Sequence, residues 1–593
     1  MSEKINSLRD SAAARWTALL LLSLAMFCSY IFMDILSPIK DLMQSTRGWD
    51  SSAFGTMQGS ETFLNVFIFF LIFAGIILDK MGVRFTAILS GFVMLVGALI
   101  KWYAVSGSFI GSGTEMWFAN HLEWNVETSW LKWLNDILPF YEGMPASAKV
   151  ASVGFMIFGC GVEMAGITVS RGIVKWFKGR EMAMAMGSEM ALARLGVATC
   201  MIFSPLIAKL GADAVGNPCG IGNVSNSVAF GVILLMVALM MFVVYFFMDK
   251  KLDAQTGEAE EKDDPFRLSD LKGILTSWGF WLVALLCVLY YSAIFPFQKY
   301  AVNMLQCNLT LEAPAEGFWV GKSVSIILYI ILLVSAASAF ISNFQKKKAV
   351  KYSLLCIAGI TLLLYCYMGY KSQSASSIFA VFPLLLAGIT PILGKYVDTK
   401  GKAASMLMIG SILLIVCHLT FAFVLPMFKV NTVDGVVVSG SAVGGVIMAY
   451  LTILVLGASF SLVPASLWPS VPKLVSPKVI GSAYALIFWI QNIGLWLFPT
   501  LGGKLLDNTN PGITDALKNE TLSITDPILI EKINNGCLTL KDAMNAQASN
   551  MYDYKWVLVM FACLGVAALV ISIILKGVDK KKGLGLELPN VKK

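Results

Sequence analysis

The chain has 593 residues, of which 57% are hydrophobic and only 14% charged, with a formal net charge of +8. Soluble domains carry about 25% charged residues, so this composition excludes a soluble enzyme and points to a polytopic membrane protein. The excess positive charge sits beside the ends of apolar segments, as in cytoplasmic loops, which argues against a nucleic-acid partner.

A membrane span needs about 20 apolar residues at a rise of ~1.5 Å each. Fourteen segments qualify: 16–38, 54–78, 84–104, 149–173, 182–209, 227–248, 277–303, 319–342, 350–369, 376–397, 403–426, 442–468, 480–503 and 555–576. The first, "ARWTALLLLSLAMFCSYIFMDILSPI", has no small-residue cleavage site and reads as a span rather than a removable leader. Lys4, Arg9 and Arg15, then "DKMGVR" (79–84), "KWFKGRE" (175–181), "QKKKAVK" (345–351), "DTKGK" (398–402) and the basic tail all fall on one face. By the positive-inside rule that face is cytoplasmic and holds both termini. The opposite face carries 105–148 and 504–553, where Trp and Tyr suggest small structured caps near the interface. Eleven cysteines without a CxxC pair, and two distant histidines, His121 and His418, give no metal site, and no cofactor is expected.

An internal repeat organises these spans. "GIILDKMGVR" (75–84) and "GKYVDTKGKA" (394–403) both read Gly-x-x-x-Asp-x-x-Gly at the cytoplasmic end of a span. Gly82 and Gly401 permit a tight turn, and Asp79 and Asp398 can face helix ends or basic groups. A second pairing sets "GSEMALARLG" (187–196) beside "YALIFWIQNIG" (484–494), with Arg194 where Asn492 stands.

The first motif resembles the loop 2–3 signature of the major facilitator superfamily. That resemblance implies an all-α fold of two six-helix bundles with a substrate site between them. The second copy of the motif comes two spans too late, so a two-helix insertion is expected, making about 14 transmembrane helices. The resulting division is an N-terminal bundle (1–248) with an insertion at 105–148, a cytoplasmic linker (249–276), and a C-terminal bundle (277–576). The C-terminal bundle contains an inserted hairpin (319–369) and an outer loop (504–553), and a basic tail (577–593) follows. "WFKGREMAMAMGSEMALARLG", "SLWPSVPKL", "GSAYALIFWIQNIGL" and "YYSAIFPFQKYAVNML" are similar to the branch of that superfamily that holds a lysosomal dipeptide carrier.

Charges at depth mark candidate functional groups, because each costs a few kcal/mol or more inside a bilayer. Arg194 lies roughly 18 Å into its helix and Glu163 about 15 Å from the end of the preceding one, so they share a level. The resemblance implies that this Glu and Arg meet the charged ends of a peptide. Glu163 suits an ammonium and Arg194 a carboxylate. They can also pair with each other when the cavity is empty, or simply orient helices. Glu189, five residues from Arg194, points elsewhere on the helix and is read as structural.

Asp34, after Tyr30 and before Pro38, can bind an ammonium, take a proton or cap a kink. Gln58, Glu61 and Asn65 share one helix face. Lys299, near Tyr291 and Pro296, can balance Asp34 or Glu61, or attract a carboxylate. Trp468, Trp489, Gln491 and Asn492 complete the candidate substrate contacts. Asp79, Gly82 and Arg84, with Asp398 and Gly401, are candidate gating residues.

No nucleophile–base set or metal motif appears, so the chain is expected not to be an enzyme. The expectation is a monomeric secondary carrier of small peptides working by alternating access. It takes a small zwitterion as substrate and the bilayer as surroundings, as a uniporter or a proton symporter. A carrier of organic anions, using Arg171, Arg194 and Lys299, and a non-transporting receptor are the alternatives. The tail "MSEKINSLRDSAAAR" lacks an acidic dileucine pattern, which favours a bacterial inner membrane over a lysosome.

Overall fold

Long apolar runs can satisfy their backbone in a bilayer only by coiling, since no water is there to bond the free N–H and C=O groups. A computed structural model shows that outcome. It describes residues 7–178, 181–210, 220, 222–256, 274–311, 322–343, 345–433, 436–475 and 479–589. Most of the expected linker, the start of the inserted hairpin and the last tail residues lie outside the described residues.

The main helices are α1 (Ala12–Met33), α2 (Ser51–Gly59), α3 (Phe70–Val105), α4 (Ala146–Trp176), α5 (Met182–Ala208), α6 (Val224–Thr256) and α7 (Trp278–Asn308). They are followed by α8 (Lys322–Ser342), α9 (Lys348–Lys371), α10 (Val381–Lys400), α11 (Ala403–Leu419), α12 (Ala442–Leu467), α13 (Ile480–Thr509) and α14 (Lys555–Lys582). Thirteen helices among the described residues are long and apolar enough to cross a membrane. The second span is hidden from that criterion because it is broken. It runs from α2 through a 3-10 turn (Ser60–Thr62) and a short helix (Phe63–Phe67) before joining the start of α3. Fourteen crossings therefore return the C-terminus to the face of the N-terminus.

One bundle forms where α3 packs on α4 and α6, and α1 on α5 and α6. In the other, α11 packs on α12 and α14, α7 on α13 and α14, and α10 on α12. The main contacts between bundles are α2 with α13 and α5 with α10. The inserted pair, α8 and α9, packs on itself, with α8 also against α10 and α5. There Tyr329 of α8 meets the Thr199 hydroxyl of α5 at 2.8 Å.

Gly82 sits inside α3 with φ 77° and Gly401 ends α10 with φ 73°, so both copies of the repeated motif use the left-handed backbone that glycine tolerates. Each marks a turn on the face that holds both termini, here called the terminus face. The other, the loop face, carries the caps. Segment 105–148 contains a helix (Gly113–Asn120) and a 3-10 turn (Lys132–Asp136), and 504–553 contains three short helices. A two-stranded antiparallel ribbon, Asn431–Val433 with Val436–Ser439, is the one strand pair among the described residues.

Lys149, at the start of α4, has a fully buried side chain that pairs with Glu123 at 2.8 Å. That bond holds the Glu123 carboxyl below its usual range and pins the first cap.

On the loop half, α2 and α13 touch backbone to backbone. A Cβ on Gly59 would strike the Trp496 carbonyl oxygen, and one on Gly503 the Ser51 carbonyl oxygen. Small residues allow helices this close approach. Two outcomes are expected. Gly59→Leu holds the seam apart, so a cysteine placed at Ser52 is alkylated about tenfold faster or more. A depressed carboxyl pKa gives support that is present above the ordinary value and lost as pH falls through the depressed one. The 106–145 cap therefore resists protease above the ordinary carboxyl range and loosens as pH falls through the depressed value of Glu123.

Candidate functional site

Three layers of side chains fill the seam between the bundles. The outermost is polar and closes the loop face. Asp507, near the end of α13, accepts from the Ser52 amide (2.7 Å), the Ser52 hydroxyl (2.6 Å) and the Ser51 amide (3.3 Å). A carboxylate of one bundle thus caps the N-terminus of a helix in the other, where the helix dipole favours negative charge. Lys40 donates to the Asn303 carbonyl oxygen at 3.2 Å, Gln306 to Asp41 at 3.1 Å, and Gln44 to the Tyr552 hydroxyl at 3.1 Å.

Below it lies a buried ion pair. Asp34, just past the end of α1, is 2% exposed and receives Lys299 of α7 at 2.8 Å on one oxygen and Gln298 at 2.8 Å on the other. Ser37 adds a third donor at 3.2 Å. Of the partners the sequence left open for Lys299, the structure chooses Asp34.

The third layer is at mid-depth. Arg194 of α5 is half-buried, its guanidinium 4.8 Å from the centroid of the Phe295 ring of α7 and 5.8 Å from that of Tyr30 of α1. It makes no hydrogen bond or ion pair among the described residues. Glu163 of α4 is also half-buried and accepts from the Asn492 amide of α13 at 3.1 Å. Tyr30 is within electrostatic reach of Arg194, Glu189, Glu163 and Glu61.

Glu163 and Arg194, which the sequence allows to pair in an empty cavity, do not pair here. Asn492 occupies the carboxylate, and aromatic faces hold the guanidinium, an arrangement worth about 1–2 kcal/mol when partly desolvated. Glu189 is half-buried and acts on Arg194 at longer range.

An aromatic wall adjoins Arg194. Phe460 meets Tyr291 and Phe295 edge to face, and Tyr291 and Phe295 lie tilted to each other, with all centroids 5.3–5.4 Å apart. Trp468 donates its indole N–H to the Tyr291 hydroxyl at 3.2 Å and packs on Phe488 at 5.0 Å. Glu61, in the 3-10 turn, and Asn65, in the short helix after it, are both buried. The Asn65 amide has no partner among the described residues. Gln491 accepts from the Cys287 thiol at 3.3 Å.

Trp489 meets the second span where it is broken. Its N–H donates to the Val66 carbonyl at 3.0 Å, and its ring stacks on Phe69 at 5.2 Å. Phe69 takes φ 54°, outside the helix. A carbonyl freed from the helix ladder is satisfied by a side chain of the opposite bundle.

The candidate gating residues stand apart, on the terminus face. Asp79 pairs with Arg171 of α4 at 2.5 Å, and Arg84 with Asp253 of α6 at 2.9 Å. Lys175 bridges Asp249 and Asp253 at 2.6 and 2.7 Å. These contacts tie helices of one bundle together. In the repeat copy, Asp398 lies in the last turn of α10. Gly401 lies against the returning tail, where the next amide, Lys402, donates to the Glu587 carbonyl at 3.1 Å.

Sequence reasoning missed Phe295 and Lys101. Phe295 directly precedes Pro296 in a stretch already singled out. Lys101 is a lone charge inside an apolar run, the same signal that exposed Arg194.

The profile of the Major Facilitator Superfamily matches residues 22–372, more than half of the chain. The lysosomal dipeptide transporter MFSD1 of Bos taurus is 22% identical over 502 residues, 84% of this chain and 80% of that protein. Its Homo sapiens counterpart is 21% identical over 499 residues, 84% and 81%. The match to the Gallus gallus protein, 24% over 356 residues, spans 60% of this chain and 62% of that one. Among solved structures, a bacterial homolog to the human lysosomal transporter Spinster, inward-facing and occupied, superposes with a TM-score of 0.57 at 12% identity, covering 96% and 98%. A bacterial homologue of the human drug peptide transporters PepT1 and PepT2 gives 0.51 at 12%, covering 96% and 99%. At these identities the two structures speak for the fold.

Removing the Trp489 N–H while keeping a ring isolates its role. Trp489→Phe should lower stability by about 1–3 kcal/mol, the cost of an unsatisfied buried carbonyl. Thermal unfolding in detergent reads this, and an unchanged midpoint would show that the Val66 carbonyl finds another donor.

Proposed function

Because this chain belongs to the major facilitator superfamily, and so is a multi-pass membrane transporter rather than an enzyme, we propose that it carries small zwitterionic peptides, dipeptides foremost, by alternating access. The observation that carries this reading is the guanidinium of Arg194. It stands at mid-depth between the bundles, held by ring faces and without a carboxylate partner among the described residues. Glu163, half-buried and bound only through Asn492, supplies the opposite charge across the same space.

A planar fork without a carboxylate is suited to take the α-carboxylate of a peptide in two parallel hydrogen bonds. Glu163 takes the α-ammonium, with Asn492 yielding or sharing. The peptide backbone and side chains lie against Tyr30, Tyr291, Trp468 and Trp489, with Asn65 and Gln491 as further polar contacts. Ring faces accept varied side chains without specifying one, which suits a carrier of many sequences. Asp34 and Glu61 flank the ammonium end from the loop side.

The other carrier reading requires a cluster of free cations. Two of its three candidates are already neutralised by the chain's own carboxylates, Lys299 by Asp34 and Arg171 by Asp79. That weighs against organic anions as the main substrate.

In this reading the terminus face is cytoplasmic, since Arg9, Arg15, Arg84, Lys175, Lys346–Lys348 and Lys580–Lys582 border it. The turns at Gly82 and Gly401, with Asp79, Arg84 and Asp398, hold the helix ends that must part and meet as this face opens and closes. The loop face is closed in this structure, so substrate leaves or enters from the cytoplasm. The relatives matched by sequence are lysosomal. We propose a bacterial inner membrane for this chain, and a fluorescent fusion in the source cell decides between the two.

The test is uptake of labelled dipeptide into liposomes containing the purified protein. Arg194→Ala should weaken dipeptide binding about 10- to 100-fold, the equivalent of one charge-assisted fork, while the protein stays folded. Glu163→Gln should weaken a free dipeptide yet leave an N-acetylated dipeptide, which has no ammonium, unaffected. Normal uptake by Arg194→Ala would end this assignment.

A further inference from the structure

Lys101, in the last turns of α3, is wholly buried, and its ammonium has no hydrogen-bond acceptor among the described residues. It lies 3.5 Å from the centroid of the Phe155 ring and 5.2 Å from that of Phe32. Ring faces offset only part of the cost of taking an ammonium out of water. Nothing in the peptide site uses it.

The groups that act on Lys101 come from four elements: Asp34 at the end of α1, Glu61 in the broken second span, Lys299 on α7 and the Cys200 thiol on α5. Asp34 follows the Phe32 ring by two residues. It is held by Lys299 and Gln298, both on α7 in the opposite bundle. When the loop face opens, α7 withdraws and takes both donors with it. A buried carboxylate that loses its cation is strongly destabilised. Lys101 is in the same bundle as Asp34, so the opening does not carry it away, and its four-carbon stem is long and flexible enough to swing from one partner to another.

We propose that Lys101 is the stand-in counter-ion of Asp34. As the loop-face seam parts, Asp34 exchanges Lys299 of the C-terminal bundle for Lys101 of its own, so that the carboxylate is paired in both states of the carrier. In the closed state Lys101 waits on Phe155 and Phe32. Lys101 is thus a positioning residue of the transport cycle, acting through Asp34 and not on substrate. The proposal rests on the alternating-access reading above, but not on the nature of the substrate.

The test uses the full-length protein in nanodiscs without any peptide. Hydrogen–deuterium exchange of backbone amides in 51–59 and 499–507 reports opening of the loop-face seam. With Asp34 present, Lys101→Met should slow that exchange about tenfold or more, because the open state has lost its ion pair. With Asp34→Asn in place there is no carboxylate to serve, and Lys101→Met should change exchange by less than about twofold. Lys101→Arg keeps the charge and should stay near the parent. Equal slowing in both backgrounds, or none with Asp34 present, overturns the proposal. Lys101→Gln replaces the Met variant should that one fail to fold. A protein that ignores dipeptides yet shows this dependence on Asp34 refutes the substrate reading and keeps the charge exchange.

Discussion

Asp34 and Lys299 form a buried ion pair across the seam between the two bundles. Neither charge would tolerate this depth alone, so each bundle holds the other in place on that half of the seam. The closed loop face follows from it. The Asp507 cap on α2, the Lys40 and Gln306 bonds and the backbone contacts at Gly59 and Gly503 all lie in the same half and require the same approach of helices. None of them involves Tyr30, Glu163 or Arg194, which lie deeper in the seam.

Charge neutralisation decides which groups remain for a ligand. On the terminus face, Arg171, Arg84 and Lys175 are matched to Asp79, Asp253 and Asp249 within one bundle. In the loop half, Lys299 is matched to Asp34. Among the described residues, Arg194 is held by ring faces alone and Glu163 by an amide alone. A mobile zwitterion brings both missing charges and no net charge, so it can enter this low-dielectric space at less cost than an anion. The break in the second span serves the same region. It brings Glu61 and Asn65 toward the seam and turns Phe69 onto Trp489, and the Trp489 N–H satisfies the carbonyl that the break exposes.

Much of this was legible in the sequence. Hydropathy located the spans within a few residues, because apolar length is a local property set by bilayer thickness. The matching Gly-x-x-x-Asp-x-x-Gly turns revealed the repeat, and with it the two extra helices, because a left-handed turn needs glycine wherever the chain makes one. Depth counting put Arg194 and Glu163 at one level and flagged Asp34 and Lys299 as charges needing a reason. The break at Ile68 and Phe69 was not legible. No proline marks it, and the group that satisfies the carbonyl it frees is a tryptophan more than 400 residues away.

The sequence alone determined the class of protein, the number of crossings, the duplicated architecture and the list of charges that a bilayer makes expensive. Each follows from composition, helical rise and local turn chemistry. Only the tertiary structure decided the partners: Asp34 with Lys299, Glu163 with Asn492 instead of Arg194, Trp489 with Val66, and Lys101 with two rings. Partner choice depends on distances between helices remote in the chain, and in a low-dielectric interior a shift of a few ångströms determines which charge is neutralised and which is left for a ligand.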